Sequence, residues 1–221
     1  MRPPGLATEL GTERLSDEER VTRVANAVLR APVHRLATTS SPRVGRLSLR
    51  TEDGPLEVYL VLDGLVDKGG RKWLHIRVPK RPNGRTGWVL GDALSTPRVV
   101  RTKLLIDRGR LRATLYRDGR RIWTSPIGVG KQGTPTPAGR FLIRERLRGL
   151  RGGGSYGPWA FGTSAYSVLS DWPGGGVVGI HGTNEPQLIP GRPSHGCIRV
   201  PNDRIKVLAR RMPVGTPVQI L

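Results

Sequence analysis

The feature that most constrains the fold is the alternation of apolar and polar residues in KLLIDRGRLRATLYRDGRRIWTSPIGVG, residues 103–130. A period near two is that of a half-buried strand and not of a helix. Asp118-Gly119 breaks the run with a pair suited to a two-residue hairpin turn. The segment therefore predicts an antiparallel meander. GTPTPAGRFLI, residues 133–143, continues it into another strand, and the closing TPVQIL gives a last one. The 30 Gly and 19 Pro among 221 residues favour many turns, and so a β-rich architecture over helical bundles.

Upstream, other patterns appear. Residues 1–13 read as an irregular tail. Ser16-Asp17-Glu18-Glu19 has the form of a capping box, and Val21, Val24, Ala25, Val28 and Leu29 follow at helical spacing, so 17–30 predicts an amphipathic helix stopped by Pro32. The Ser-, Thr- and Pro-rich stretch 31–45 reads as a linker. Between 46 and 96 short strand-like runs alternate with turns: LEVYLVL, WLHIRV and TGWVL, with Asn83-Gly84 as a hairpin signal. In WLHIRV, Trp73, His75 and Arg77 fall on one face and Leu74, Ile76 and Val78 on the other; His75 is a half-exposed strand residue and His34 has no role. Residues 145–165, rich in Gly and Arg with Tyr156, Trp159 and Phe161 interspersed, read as a long lid-like loop, and Trp159, Phe161 and the following Tyr166 face either a cleft or the core. GGVVGIHGT is a buried strand ending at His181. NDRIKVLARRM is a helix with an Asx cap and Ile205, Leu208 and Met212 on one face.

The formal net charge of +20 calls for an anionic partner, or reflects a composition bias of the genome. Arginine is spread along the whole chain and no nucleic-acid signature accompanies it, so an anionic cell wall fits better than nucleic acid. No apolar run reaches the length of a membrane span, and the first twenty residues lack the apolar core of a signal peptide.

The lone cysteine excludes an intramolecular disulfide. Its surroundings, GIHGTNEPQLIPGRPSHGCIRVPN at 179–202, hold the candidate chemistry. His181 ends an apolar strand, and Cys197 follows Ser194-His195-Gly196. A nucleophilic thiol needs a base and a site for developing negative charge. Consecutive amides at His195, Gly196 and Cys197 offer the second, with Gly196 permitting the backbone turn. Two other readings stand beside this one. His181, His195 and Cys197 are a zinc ligand set lacking the fourth member and the paired spacing of structural sites, and a cysteine beside glycine is often inert and buried.

The pattern H…[S/T]HGC[I/V]R followed by Asn resembles the signature of the L,D-transpeptidase (YkuD-type) catalytic domain, matched at His181, Gly182, Ser194, His195, Gly196, Cys197, Ile198, Arg199 and Asn202. PIGVGKQGTPTPAGRFLI matches the family's upstream strand-turn-strand at Gly130, Thr134, Pro135, Thr136, Pro137 and Gly139. The likeness covers 98–221. A second, smaller likeness, W-x-x-I…G-W-V, is to a bacterial SH3-like domain over 46–96.

The resemblance implies a mainly β fold: a β-sandwich or barrel-like catalytic domain with a short helix, preceded by a small SH3-like barrel and the N-terminal helix of segment 1–45. It implies Cys197 as nucleophile, His181 as general base and the Gly182 carbonyl as the group orienting that base. Ser194 braces the loop, and His195 contributes its amide or touches substrate with its ring. Arg199 either clamps a substrate carboxylate or pairs with an acid such as Asp203 or Asp171. Tyr166 lines the cleft. The implied reaction is formation of 3→3 peptidoglycan cross-links through a thioester, or L,D-carboxypeptidase or other cysteine-peptidase action on wall peptides. Neither metal nor organic cofactor is implied. The partners are donor and acceptor stem peptides, carbapenem-type β-lactams and anionic wall polymers, at an extracytoplasmic site. A non-catalytic wall- or nucleic-acid-binding protein is the remaining alternative.

Overall fold

The computed structural model describes residues 11–149, 154–171 and 173–221. The tail expected over 1–13 lies mostly outside them. The chain is mainly β and forms two sheets.

The N-terminal sheet holds β1 (Glu13–Arg14), β2 (Thr22–Asn26), β3 (Pro32–His34), β4 (Arg43–Arg46), β5 (Val58–Val66), β6 (Lys72–Arg77), β7 (Thr86–Leu90) and β8 (Arg98–Val100). Its order is β4-β3-β7-β6-β5-β2-β8, with β1 beside β5. The strands expected over 46–96 and the Asn83-Gly84 hairpin between β6 and β7 are present. His75 stands half-exposed, stacked on Trp88 at 4.8 Å and bonded to Asp63. The sheet is larger than the sequence predicts, and residues 98–100, expected with the following unit, pair with β2.

Two expectations upstream are corrected. The helix over 17–30 does not form. Asp17 Oδ1 accepts the amides of Glu19, Arg20 and Val21, which looks like a cap, but Glu18 turns left-handed with φ 60°. Its buried carboxylate then takes both Nε and Nη2 of Arg77. β2 lies between β5 and β8 and buries both faces, Val24 in one cluster and Ala25 in another. A strand buried on both sides shows no alternation, and its apolar residues fall into helical spacing by accident. Nor is 31–45 a linker: β3 and β4 form a hairpin with Val33 fully buried, and only the turn between them is Ser/Thr-rich.

The C-terminal sheet contains β9 (Thr102–Asp107), β10 (Arg112–Arg117), β11 (Arg120–Pro126), β12 (Gly128–Gly130), β13 (Gly139–Arg148), β14 (Trp159–Tyr166), β15 (Val177–His181), β16 (Gly191–Ser194), β17 (Ile198–Arg199) and β18 (Pro217–Ile220). The order is β11-β10-β9-β18-β13-β14-β15-β17-β12-β16. The meander is as expected, with Asp118 and Gly119 both at positive φ in its turn. The helix α1 (Asn202–Arg211) also forms, burying Ile205, Leu208 and Met212 against the sheet. It starts from Pro201 without a side-chain cap, because the Asn202 amide is engaged elsewhere. Most of the loop expected at 145–165 is strand: β13 runs through Arg148 and β14 begins at Trp159. Residues 150–153 of that span lie outside the described residues.

The sheets share a core. Val24, Val58, Leu60 and Val100 of the first pack with Leu142 of the second. Arg144 of β13 is 1% exposed and bonds Glu57 through Nε at 2.9 Å and also through Nη2. Glu145 beside it takes the Thr51 hydroxyl at 2.5 Å. Among the described residues no helix is long and apolar enough to cross a membrane.

Candidate active site

The site follows from the parallel pairing of β15 with β17, which sets Ile180 beside Ile198 and His181 beside Arg199. Cys197, one residue before β17, thereby falls next to Gly179. The Gly179 amide donates to Cys197 Sγ at 3.3 Å. Gly179 and His181 share one face of β15, since side chains two apart point the same way. A Cβ on Gly179 would sit 3.6 Å from His181 Cδ2 and 3.8 Å from Cys197 Sγ, so ring and sulfur flank one empty position. Both open on a cavity of about 110 Å³ lined also by Tyr156, Ser167, Ser194, His195 and Arg199.

His181 is 4% exposed, and its Nδ1 lies 2.6 Å from the Gly182 carbonyl. A carbonyl only accepts, so Nδ1 carries the proton and Nε2 keeps its lone pair. The carbonyl is held in turn. Gly182 donates to the Trp159 carbonyl at 3.1 Å. Asn202 pairs both amide groups with Thr183, accepting from its N–H at 2.9 Å and donating to its carbonyl at 2.8 Å. Asn202 is thus a brace beneath the histidine. The Tyr156 ring meets the His181 ring edge-on at 4.7 Å.

The nucleophile loop is braced from several sides. The Ser194 hydroxyl donates to the Cys197 carbonyl at 2.5 Å and accepts the Gly196 amide at 3.2 Å. Of the three amides expected to face substrate, that of Gly196 is therefore spent on the loop itself. Gly196 sits at φ 123°, where a side chain would be strained. Thr136 links strand to loop: its hydroxyl donates to the Gly196 carbonyl at 2.8 Å and accepts the Gly130 amide at 2.9 Å. Lys131 N–H holds the Ser194 carbonyl at 2.9 Å. The sequence marks the Thr-Pro-Thr-Pro segment only as a match. The structure gives Thr136 and Lys131 a task that no local pattern reveals, because the partners lie about 60 residues on.

Burial lowers the His181 pKa from 6.5 to about 4, opposed by the Gly182 carbonyl and reinforced by the charge of Arg199. Burial raises the thiol of Cys197, against the pull of the Gly179 amide and Arg199. Each shift favours the uncharged form, so the resting pair is thiol and neutral imidazole.

Arg199 lines the cavity and pairs with Glu185 at 2.6 Å, not with Asp203 or Asp171. Tyr166, expected at the cleft, is buried and donates its hydroxyl to the Pro79 carbonyl in the β6–β7 hairpin at 3.0 Å. Phe161 is core, and Trp159 packs on the core with Arg146 over its ring. Among the described residues no group of three or more His, Cys, Asp or Glu could hold a metal ion.

A β protein with a cysteine and a histidine brought to one cleft by parallel strands, the histidine tautomer fixed by the next carbonyl, is the class these features define. The family model of the L,D-transpeptidase catalytic domain (YkuD) matches residues 101–220, and the chain belongs to that family. The protein named YkuD of Bacillus subtilis is 35% identical over 127 residues, 58% of this chain and 70% of that one. The protein named YbiS of Escherichia coli is 30% identical over 159 residues, covering 63% of this chain and 51% of its own length. Both carry L,D-transpeptidase in their names. Among solved structures, the catalytic domain of an E. faecium L,D-transpeptidase acylated by ertapenem is 29% identical over 54% of this chain and 96% of that chain, with a TM-score of 0.39.

Proposed function

We propose that this L,D-transpeptidase family member forms 3→3 cross-links between peptidoglycan stem peptides through a Cys197 thioester. The observation that carries the reading is the fixed tautomer: Nδ1 is held by Gly182, which leaves Nε2 as the acceptor in the cavity that Cys197 Sγ shares. Nε2 takes the thiol proton as Sγ attacks the carbonyl of the third stem residue. The oxyanion forms against the backbone of the Ser194–Cys197 loop, with Arg199 adding positive potential. The C–N bond to the fourth residue, D-Ala, breaks, and its amine leaves with the proton from Nε2. An acceptor amine then attacks the thioester and gives its proton to Nε2. The amide cross-link forms and the thiol is restored.

The neutral resting pair supports proton transfer on substrate arrival over a standing ion pair. In the same proposal, residues 46–96 act as an SH3-like positioning module, the net charge of +20 draws anionic wall polymers, and the site of action is extracytoplasmic. The test is mass spectrometry after incubation with a carbapenem. One covalent adduct, absent in Cys197→Ala, is expected, and an unmodified wild-type chain refutes the reading. With stem tetrapeptides, a dimeric product rather than a shortened monomer separates transferase from carboxypeptidase.

A further inference from the structure

The cleft is lined also by Ser167, Gly176, Val177 and Val178. Ser167 N–H donates to the Gly176 carbonyl at 2.8 Å. Carbonyls beside this contact that lack a ladder partner must be met by other donors. Here the donor is a guanidinium from the β6–β7 hairpin. Arg81 Nη1 donates to the Ser167 carbonyl at 2.6 Å, and Nη2 donates to the carbonyls of Leu169 and Gly175, each at 3.0 Å.

The loop is shaped around this group. Gly176 has φ 78°, and a Cβ there would fall 1.9 Å from the Leu169 oxygen and 2.6 Å from Arg81 Nη2. The guanidinium also lies over the Tyr166 ring, 5.0 Å from its centre. Two residues on, Asn83 bonds both backbone groups of Tyr166, at 2.8 and 2.9 Å. The contact continues to the nucleophile. The Ser167 hydroxyl donates to the His195 carbonyl at 3.2 Å. A Cβ on Gly196 would come within 3.1 Å of that hydroxyl oxygen, so Ser167 packs directly on the Cys197 loop.

We propose that Arg81, supplied by the β6–β7 hairpin of the N-terminal sheet, is a positioning residue of the cysteine site, holding Ser167 and Gly176 against the Ser194–Cys197 loop at the cleft that a donor acyl group must enter. This rests on the reading of Cys197 as the acylated nucleophile. A planar fork with fixed donors meets several carbonyls at once, which an ammonium does not reproduce. Small misplacements of a reacting centre are costly in rate.

The experiment uses the full chain and a carbapenem, with adduct formation followed against concentration. Arg81→Gln is expected to raise the half-saturating concentration and to lower the second-order acylation rate about tenfold or more. Alkylation of Cys197 by iodoacetamide, which needs no shaped wall, stays within about twofold. Arg81→Lys recovers only part of the loss. Arg98→Gln removes another arginine–carbonyl contact between the sheets, to Val214 at 2.9 Å, and should behave as wild type. Should Arg81→Gln fail to fold, Asn83→Ala carries the test, with a smaller loss in the same direction. Wild-type acylation kinetics in Arg81→Gln, or an equal loss in Arg98→Gln, overturns the proposal while leaving the nucleophile in place. A wild-type chain that forms no adduct overturns both.

Discussion

The buried imidazole makes a measurable contribution to stability. Its ordinary value is 6.5 and burial takes it to about 4. At about 1.36 kcal/mol per pH unit, the folded state favours neutral His181 by about 3 kcal/mol. The folded value lies below the unfolded one, so between them the unfolded chain binds a proton that the folded chain refuses. This stability is whole above the unfolded value, is lost as pH falls, and is gone below the folded value. Urea midpoints of wild type and His181→Gln across this range isolate the term, because the carboxylates titrate alike in both chains. The wild-type-minus-variant difference should shrink by about 2.5 kcal/mol between about pH 7.5 and about pH 4.5. Imidazole nitrogen resonances should show titration well below the ordinary histidine range. A difference that stays flat with pH, or a ring that titrates like a free histidine, refutes the lowering of the imidazole pKa by burial.

Removing the charge beside the thiol should weaken it as a nucleophile. In Arg199→Gln the pH midpoint for alkylation of Cys197 by iodoacetamide is expected to move upward from an already raised wild-type value, because Arg199 opposes the effect of burial; an unmoved midpoint refutes the role given to Arg199. Glu57→Gln leaves the Arg144 guanidinium, 1% exposed, without its fully buried counter-charge, and should cost about 3 kcal/mol in urea-monitored stability. A loss under about 0.5 kcal/mol would mean that Glu52 at 2.9 Å suffices alone.

The sequence disclosed what local pattern encodes. Alternation around Asp118-Gly119 located the meander, and the spacing of Ile205, Leu208 and Met212 located the helix, because elements such as β9 and α1 are buried on one side only. Where a strand is covered on both sides, as at Val24 and Ala25, the same rule misread it as helix. Where a charge is buried, as at Glu145, a strand read as a loop. The juxtaposition of Cys197 with His181 was legible through the family resemblance of the motif that carries both, whereas spacing alone left an inert, buried cysteine equally open. The partner of Arg199 was not, since Glu185 reaches it only through the loop joining β15 to β16. Nothing local separates Arg81 from the other basic residues of a chain with 37 lysines and arginines.

The two sheets do not act as independent units, and the placement of polar groups shows why. A surface contact between separable domains would be expected to use exposed, screened pairs worth little. Here the boundary carries a core of Val24, Val58, Leu60, Val100 and Leu142, together with a carboxylate and a guanidinium that are each 1% exposed. β13, which supplies Leu142, Arg144 and Glu145 to that boundary, pairs directly with β14, and β14 pairs with β15, which carries His181. Loosening the boundary therefore disturbs strands only one and two places away from the histidine. The inter-sheet core and the Cys197 cleft are thus joined by one continuous ladder, β13-β14-β15, separate from the Arg81 contact.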